Sequence, residues 1–213
     1  NNSNSKILRK KIKILQIVGG SYHNGAFQGA NILHKSLLEE GINSVLLNDT
    51  LLLKERNKIL ENNKNIVFIQ DNILRKILFK IFVLIEKFLK SLFLHTPRET
   101  FTIGLFGFDI TKLGEFKKAD IIHIHWLGQG FININSLSKI NKPVVWTMRD
   151  MWAFTGGSHY TMDFQKYEKS YLSKFFKKMK SKNYNQNFNF VSVSNWLKKL
   201  AQESRVLENF DIK

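Results

Sequence analysis

The chain has 213 residues, of which 43% are hydrophobic, contains no cysteine and carries a formal net charge of +16. This length suits one α/β domain with a full core, and the lack of cysteine excludes disulfides and thiolate metal sites. The charge either marks an acidic partner, such as nucleic acid, anionic lipid or a phosphate group, or reflects an AT-rich genome whose codons favour Lys, Asn and Ile together. The polar, basic N-terminus lacks the apolar core of a signal peptide.

The first predicted strand, residues 12–18, leads into a glycine-bearing loop and then a helix. Gly20 and Gly25 lie in this loop, and Ala26 begins a series of apolar residues at helical spacing that stops at Gly41. A strand, a glycine loop and a helix N-terminus together favour anion binding, because free N–H groups and the helix dipole point at the loop. Alternatively, the glycines only turn the chain. Their spacing differs from G-x-G-x-x-G, so a nicotinamide cofactor is not predicted.

Residues 42–47 and 65–70 are the second and third predicted strands, and the polar segment between them is irregular or a short helix. Residues 101–108, FTIGLFGF, are apolar and glycine-bearing and form either a strand or a loop. The sequence contains no internal repeat and no low-complexity linker. These features indicate a single continuous domain.

Residues 73–94 predict a basic amphipathic helix. On a helical wheel, Lys76, Lys80, Lys87 and Lys90 share one stripe, and large apolar residues occupy the opposite one. Charges interrupt the segment too often for a transmembrane span. Such a helix either lies in an anionic membrane surface or packs on the core with its lysine face in solvent. The wide apolar arc favours membrane contact or burial within a helical excursion.

Two further strand-like runs, Ile121–Trp126 and Val144–Met148, flank a short helical unit at residues 135–140. A strand, a crossover and a strand predict adjacent parallel strands. Ligands of open parallel sheets bind outside the carboxyl ends of the strands. Both runs end there in polar clusters, the first in HIHW with a glycine loop and the second in RDMW followed by AFTGGSHY.

The side chains of His123 and His125 leave the same face of the first run. No third ligand of convincing spacing accompanies them, so no metal is predicted. One of the two is expected to pack, and His125, nearest the strand end, to face the cleft. Arg149 at the end of the second run can hold a phosphate or carboxylate in bidentate fashion, or it pairs with Asp150 or Glu168.

The rest of the sequence predicts a basic helix at residues 173–182 and a strand at residues 188–193. A capped helix at residues 196–203 and the start of a further strand at residues 209–213 follow. The expected fold is an α/β, Rossmann-like parallel sheet with helices on both faces. Its core strands are residues 12–18, Ile121–Trp126, Val144–Met148 and residues 188–193. Motifs of P-loop proteins, α/β-hydrolases and metalloproteases are missing from the sequence.

The segments DIIHIHW (120–126) and KPVVWTMRDMWAFTGGSHY (142–160) resemble the N-terminal domain of family 4 glycosyltransferases of the bacterial polysaccharide-assembly type. A weaker similarity extends over most of the chain. Such enzymes have the GT-B architecture, in which two Rossmann-like domains face each other across a cleft. The resemblance implies that residues 1–213 form the acceptor-side domain, and that a donor-binding domain lies outside this sequence.

The resemblance also implies a function. It is the retaining, metal-independent transfer of a sugar from a nucleotide-sugar donor to a lipid-linked or growing polysaccharide acceptor, as in a hexosyltransferase. The nucleotide sugar is a co-substrate, and no bound cofactor is expected. The expected location is cytoplasmic, peripheral at the inner face of the membrane, and this half alone is expected to be inactive. The alternative is a non-catalytic basic module for nucleic acid or anionic membrane. Nucleic acid is not the predicted partner because no recognisable motif accompanies the charge.

Residue roles are carried over position by position. Gly25 and Ala26 match the family's Gly-Ala pair, and Arg149 stands where many members have histidine, which excludes imidazole acid–base chemistry there. The resembling subgroup has a cysteine at Ser158 and further cysteines beyond, so this chain either lost that loop or lacks those residues. Trp126 and Trp152 offer flat surface for a sugar ring, although Trp is more often core. The predicted catalytic residues are Arg149, Asp150 and His125, the predicted substrate-binding residues are Gly20, Gly25, Ala26, Trp126, Gly156, Gly157 and His159, and the predicted membrane-binding residues are Lys76, Lys80, Lys87 and Lys90.

Overall fold

The computed structural model describes residues 12–93, 100–160 and 169–213. Its strands and helices alternate along the chain, as a parallel sheet requires. In chain order they are β1 (Lys13–Val18), α1 (Gly25–Glu39), β2 (Asn43–Asn48), α2 (Leu53–Asn62), β3 (Ile66–Phe68), α3 (Ile73–Phe93), α4 (Gly114–Lys118), β4 (Ile121–Trp126), β5 (Val144–Met148), α5 (Tyr171–Asn183), β6 (Phe188–Ser192) and α6 (Asn195–Gln202), with 3-10 turns at Ile110–Lys112, Ile134–Lys139 and Trp152–Phe154.

The six strands form one sheet in the order β3-β2-β1-β4-β5-β6. Every neighbouring pair is parallel, so each connection must cross a face of the sheet. The order reverses direction between β1 and β4, and the carboxyl ends of these two strands flank the crevice where ligands of such sheets bind. The predicted α/β, Rossmann-like fold is confirmed.

Helices pack on both faces of the sheet, over two apolar cores of unequal size. Leu15 and Ile17 of β1 face the larger core, to which α3, α4 and α6 contribute side chains. Val18, on the opposite face by strand alternation, packs with Phe27 of α1 and Ile59 of α2. The three-layer arrangement therefore buries the middle of the sheet on both sides.

Several predicted elements differ in detail from the structure. The segment after β2 contains a helix, α2, and the third strand is only three residues long. Residues 101–108 form a loop with isolated bridges at Phe101 and Phe108, and the end of the chain adds one parallel bridge at Ile212. The predicted helix end at Leu94 lies outside the described residues, and so do residues 161–168 of the short segment 161–171 where the family's cysteine-bearing loop is expected.

The orientation of α3 corrects the prediction of a single solvated lysine stripe. Lys80 and Lys87 are exposed, but Lys76 and Lys90 are partly buried. The face turned to solvent is mainly apolar and contains Ile73, Leu74, Ile77, Ile81, Leu84 and Phe88, with exposed fractions of 42–72%. Across the described part of the chain, no helix combines the length and hydropathy needed to cross a membrane.

A buried carboxylate explains why α3 docks in this orientation. Glu86 is 1% exposed and accepts hydrogen bonds from the N–H groups of Ile103 (2.9 Å) and Gly104 (2.7 Å). Burial raises its pKa, and the backbone N–H groups and the positive charge of buried Lys180 act in the opposite direction. Lys180 in turn donates to the carbonyl of Trp152 and lies 3.7 Å from the centre of its ring. The helix is therefore fixed to the loop at residues 102–106 through its one acidic residue.

We expect Glu86→Leu to lower the free energy of unfolding by roughly 2–5 kcal/mol, because it leaves the buried N–H groups of Ile103 and Gly104 without an acceptor. Urea unfolding followed by circular dichroism measures the change. Glu61→Leu, at an exposed position of α2, is the matched control and should change stability by less than about 0.5 kcal/mol. Equal losses in the two variants would show that the buried carboxylate does not stabilise the fold.

Candidate functional site

Two adjoining pockets lie at the carboxyl edge of the sheet and share Trp126. We call them together the cleft. The smaller has a volume of about 260 Å³ and the larger of about 450 Å³. The smaller is lined by Asn24, Gly25, Ala26, Trp126, Arg149, Asp150, Tyr160 and Val193, and the larger by Gly20, Asp49, Lys90, Thr100, Trp126, Gly128 and Gln129.

The N-terminus of α1 forms one wall of the smaller pocket. Asn24 is its N-cap, and the Asn24 Oδ1 atom accepts from the Ala26 N–H at 2.8 Å. The first-turn N–H groups of a helix lack intrahelical partners, and Gly25 brings the backbone to the pocket without a side chain. Gly20 in the preceding loop has φ +91°, a conformation that favours glycine. This wall suits an anion because the positive end of the helix dipole faces it.

Arg149 lies across α1, where Gly29 makes room for it. A Cβ atom on Gly29 would lie 2.3 Å from an Arg149 guanidinium nitrogen, so a larger residue there would displace the side chain. Burial lowers the pKa of Arg149, but a guanidinium stays charged in proteins. Its Nε atom is buried without a hydrogen-bond partner among the described residues. Arg149 lines the smaller pocket and carries its positive charge there.

A buried chain of hydrogen bonds continues inward from Arg149. The Arg149 guanidinium donates to His125 Nδ1 (3.3 Å), and His125 Nε2 donates to the Gln16 side-chain oxygen (2.9 Å). Gln16 donates to Ser44 (2.9 Å), which lies 2.8 Å from His34 Nδ1. His34 Nε2 then donates to the carbonyl of residue 64 at 2.8 Å. Every donor in this chain points away from the cleft, and His125 is held as the neutral tautomer with its proton on Nε2.

The expectation that His125 faces the cleft is wrong. The side chain is 1% exposed and lies beneath Arg149. Its ring stacks on that of His123 at a centroid distance of 4.1 Å, and His123 contacts Thr147 at 2.8 Å. Burial, followed by the positive charges of His123 and Arg149, lowers the pKa of His125 to about 2. His125 therefore positions Arg149 and does not act as a general acid.

Asp150 is bound on both carboxylate oxygens. Oδ2 accepts from Trp126 Nε1 (2.8 Å) and from His159 Nδ1 (2.6 Å), and Oδ1 accepts from the Trp152 N–H (3.0 Å). His159 Nε2 in turn contacts the hydroxyl of Thr102 at 2.9 Å. The 3.3 Å approach of Trp126 Nε1 to His159 Nδ1 is not a second bond, because that nitrogen already carries the proton given to Asp150. This cluster fixes the plane of the Trp126 indole in the cleft.

Asp49, which directly follows β2, is a cleft residue that the sequence analysis did not single out. Its Oδ1 atom accepts from the Gly20 N–H at 2.7 Å. Its Oδ2 atom lies where a Cβ on Gly19 (2.9 Å) or Gly128 (3.3 Å) would crowd it. Burial raises the pKa of Asp49 to about 7, against the opposing effect of the Gly20 N–H. The one available signal was a carboxylate directly after a predicted strand, at the edge where ligands bind.

The structure brings some of the predicted site residues to the cleft and not others. Arg149, Asp150, Gly20, Gly25, Ala26 and Trp126 line it. His125, His159, Gly156 and Gly157 are buried behind it, and Trp152 is core. Gly156 packs on Ser173, and Gly157 packs on Phe101, where a Cβ would clash with each at under 2.5 Å. These two glycines allow close packing and do not present backbone to a ligand.

Within residues 12–93, 100–160 and 169–213, no group of three or more His, Asp or Glu side chains is placed to hold a metal ion. The cleft instead presents a helix N-terminus, a guanidinium, an indole and two carboxyl groups. These groups can bind an anion, a flat apolar ring face and hydroxyl groups. The chemistry available is therefore that of a polar, ring-shaped ligand next to a phosphate or carboxylate.

No protein-family model matches this chain, and a search of curated proteins finds no match. Among solved structures, the crystal structure of a glycosyltransferase from Rickettsia africae ESF-5 aligns with 18% sequence identity and a TM-score of 0.43. The alignment covers 96% of this chain and 42% of that one, so the chain spans less than half of that protein's length. A likeness of this degree assigns no function, which has to be argued from the cleft.

We expect Asp49→Asn to stabilise the fold at pH 8 and to have little effect near pH 4. The unfolded chain ionises this group near 3.8 and the folded chain near 7, so the folded state retains a proton that the unfolded state has lost. Raising the pH between these two pKa values therefore favours unfolding of the wild type. The difference between the two pKa values corresponds to at most roughly 4 kcal/mol in the free energy of unfolding. Urea unfolding between pH 4 and 8 measures the difference. Exposed Asp211→Asn should show no such trend, and a pH-independent Asp49→Asn effect would contradict the buried, protonated carboxyl.

Proposed function

We propose that this chain is the acceptor-side half of a retaining, metal-independent glycosyltransferase. The full enzyme would transfer a hexose from a nucleotide-sugar donor to a lipid-linked or growing polysaccharide acceptor, at the inner face of the cytoplasmic membrane. The observation that carries the proposal is the placement of the α1 N-terminus and Arg149 beside the Trp126 indole in one cleft. No bound cofactor enters the proposal, since the nucleotide sugar is a co-substrate.

The anionic side of the cleft supports transfer from a nucleotide sugar. Breaking the bond between the sugar and the diphosphate develops negative charge on the leaving phosphate. The N–H groups of a helix N-terminus and a guanidinium stabilise such charge without a metal when they are fixed in advance. Arg149 is fixed from behind by His125 and from the side by the contact with Gly29. In this assignment Arg149 is the group that touches the reacting phosphate.

The other side of the cleft supports binding of a sugar acceptor. The Trp126 indole, held by Asp150, offers an apolar face to a pyranose ring. Asp49 and Gln129 in the larger pocket offer hydrogen-bonding groups to ring hydroxyls. Because both oxygens of Asp150 are occupied, its role in this proposal is to position Trp126 and not to contact an acceptor hydroxyl.

A donor screen on the full-length protein, with lipid-linked acceptor extract, tests the proposal. Arg149→Gln should lower kcat/KM by about 100-fold, since it removes a charge that acts on the leaving group, and Arg149→Lys should recover only part of the loss because it lacks the planar fork. Lys199→Gln, at an exposed position, is the control. Residues 1–213 alone should show no turnover. Turnover of no donor, or by residues 1–213 alone, would refute the proposed division between the halves.

A basic binding module for an anionic membrane is the second candidate, and α3 favours it. Its exposed apolar face is bordered by exposed Lys80 and Lys87. Apolar side chains beside lysines fit the boundary between lipid headgroups and acyl chains. Each lysine near an anionic surface contributes roughly 1 kcal/mol. The two functions are compatible, because a lipid-linked acceptor requires approach to the same surface.

We expect the protein to sediment with anionic liposomes at low salt and to be released at high salt, since screening shortens the attraction to about 8 Å near physiological ionic strength. Lys80→Glu combined with Lys87→Glu should lower the bound fraction at least tenfold. Leu84→Ser combined with Phe88→Ser should also weaken binding, by removing the apolar contribution. Lys182→Glu combined with Lys199→Glu makes the same charge change on exposed residues of α5 and α6. An equal loss with this control would assign the attraction to net charge, and stronger retention on nucleic acid than on liposomes would favour the nucleic-acid alternative.

A further inference from the structure

A third pocket, of about 660 Å³, lies between α5, α6 and the segment after α6. It shares no lining residue with the cleft. We call it the α5–α6 pocket. It is lined by Met151, Phe154, Lys174, Lys177, Lys178, Ser181, Leu200, Glu203, Ser204, Arg205 and Val206. Its volume falls within the range of small-molecule sites.

The walls of this pocket are strongly cationic. Lys174, Lys177 and Lys178 come from α5, and Arg205 comes from the segment after α6, against the single acid Glu203. Four positive charges and one negative charge give a formal 4 − 1 = +3. Among the described residues, neither Lys178 nor Arg205 forms an ion pair. The charges of Lys178 and Arg205 are thus left for a ligand to balance.

The lysines of α5 destabilise the helix when no anion is bound near them. The helix contains no acidic residue, and its lysines at spacings of three and four repel one another. A bound anion would relieve this repulsion.

The floor of the pocket is apolar. Met151, Phe154 and Val206 are buried there, and Leu200 borders them. The hydroxyl of Ser204 donates to the Phe154 carbonyl at 3.1 Å, which ties the two walls together. An apolar floor beneath a cationic rim selects against a bare inorganic ion and in favour of an ion with an apolar or ring portion.

We infer that the α5–α6 pocket binds a small organic phosphate that carries at least two negative charges and a compact apolar or ring portion. The phosphate lies between Lys178 and Arg205, where a guanidinium can hold two of its oxygens. The ring or apolar portion lies on Met151 and Phe154. The hydroxyls of Ser181 and Ser204 donate to the carbonyls of Lys178 and Phe154, so the cationic side chains alone hold the phosphate. This site is separate from the cleft and does not depend on the proposed transferase activity.

Phenyl phosphate is the probe that matches this description, because it combines a dianion with one aromatic ring. Inorganic phosphate provides the charge without the ring. Protein labelled with 13C on its methionine methyl groups gives a local readout, since Met151 lines the pocket and Met148 is buried in the sheet. We expect the Met151 resonance to move on titration with phenyl phosphate while that of Met148 stays in place, and inorganic phosphate to bind at least tenfold more weakly.

Lys178→Ala combined with Arg205→Ala should weaken phenyl phosphate at least tenfold. Lys182→Ala combined with Lys199→Ala, which removes the same charge from exposed positions of α5 and α6 outside the pocket, should change the affinity less than twofold. Equal weakening by both pairs, or equal affinity for the two phosphates, would overturn the inference. Vesicles containing phosphatidic acid distinguish a lipid headgroup from a free ester. The inference would also be overturned if phenyl phosphate did not shift the Met151 resonance while the Lys178→Ala, Arg205→Ala double variant lost binding to the vesicles. That result would identify a lipid surface, and not a small organic phosphate, as the ligand.

Discussion

The arrangement of the cleft depends on one buried chain of hydrogen bonds, in which every donor points the same way. It runs from Arg149 through His125, Gln16 and Ser44 to His34, under α1 and across β4, β1 and β2. Bonds aligned in this way polarise one another in a low-dielectric interior. From His125 to His34 each member has its partner, so the hydrogen-bond chain fixes the tautomer of both histidines and ends at the charged guanidinium of Arg149. Breaking this paired part of the network would be costly, because it would leave buried polar groups without partners.

The cleft combines a fixed cation with a fixed aromatic ring, and a separate hydrogen-bond network holds each of them. Arg149 and Asp150 are adjacent in sequence, but their side chains are held by different networks. His125 and the gap over Gly29 hold the guanidinium, and Trp126 and His159 hold the carboxylate. Asp150 and His159 therefore act on a ligand through the indole. The groups that touch a ligand are few, and the buried residues behind them determine their positions.

Buried polar groups link the rest of the molecule to this site. Glu86 joins α3 to the loop at residues 102–106, and Thr102 of that loop contacts His159. Lys180 joins α5 to the carbonyl of Trp152, two residues after Asp150. Burial raises the pKa of Glu86 and lowers that of Lys180 well below its usual value, and the backbone groups that face them offset part of the cost of burial. The helix that we propose to contact a membrane and the helix that lines the α5–α6 pocket are therefore both anchored next to the cleft.

The core strands, the parallel pairing of β4 with β5, and the edge at which Arg149, Trp126 and the first glycine loop meet were predictable from the amino-acid sequence. Apolar runs and turn residues are local signals, and the preference for short crossover connections then places successive strands side by side. The partners of the buried polar residues, in contrast, depend on the fold. Asp49, Gln16, Ser44 and His34 come from separate segments, and no spacing relates them. For the same reason, a helical wheel could not show which side of α3 packs against the rest of the domain. Glu86 accepts hydrogen bonds from a loop 17 and 18 residues further along the chain, and this contact leaves an apolar face of α3 in solvent. The burial of His125 likewise depends on a neighbour on another strand, Gln16.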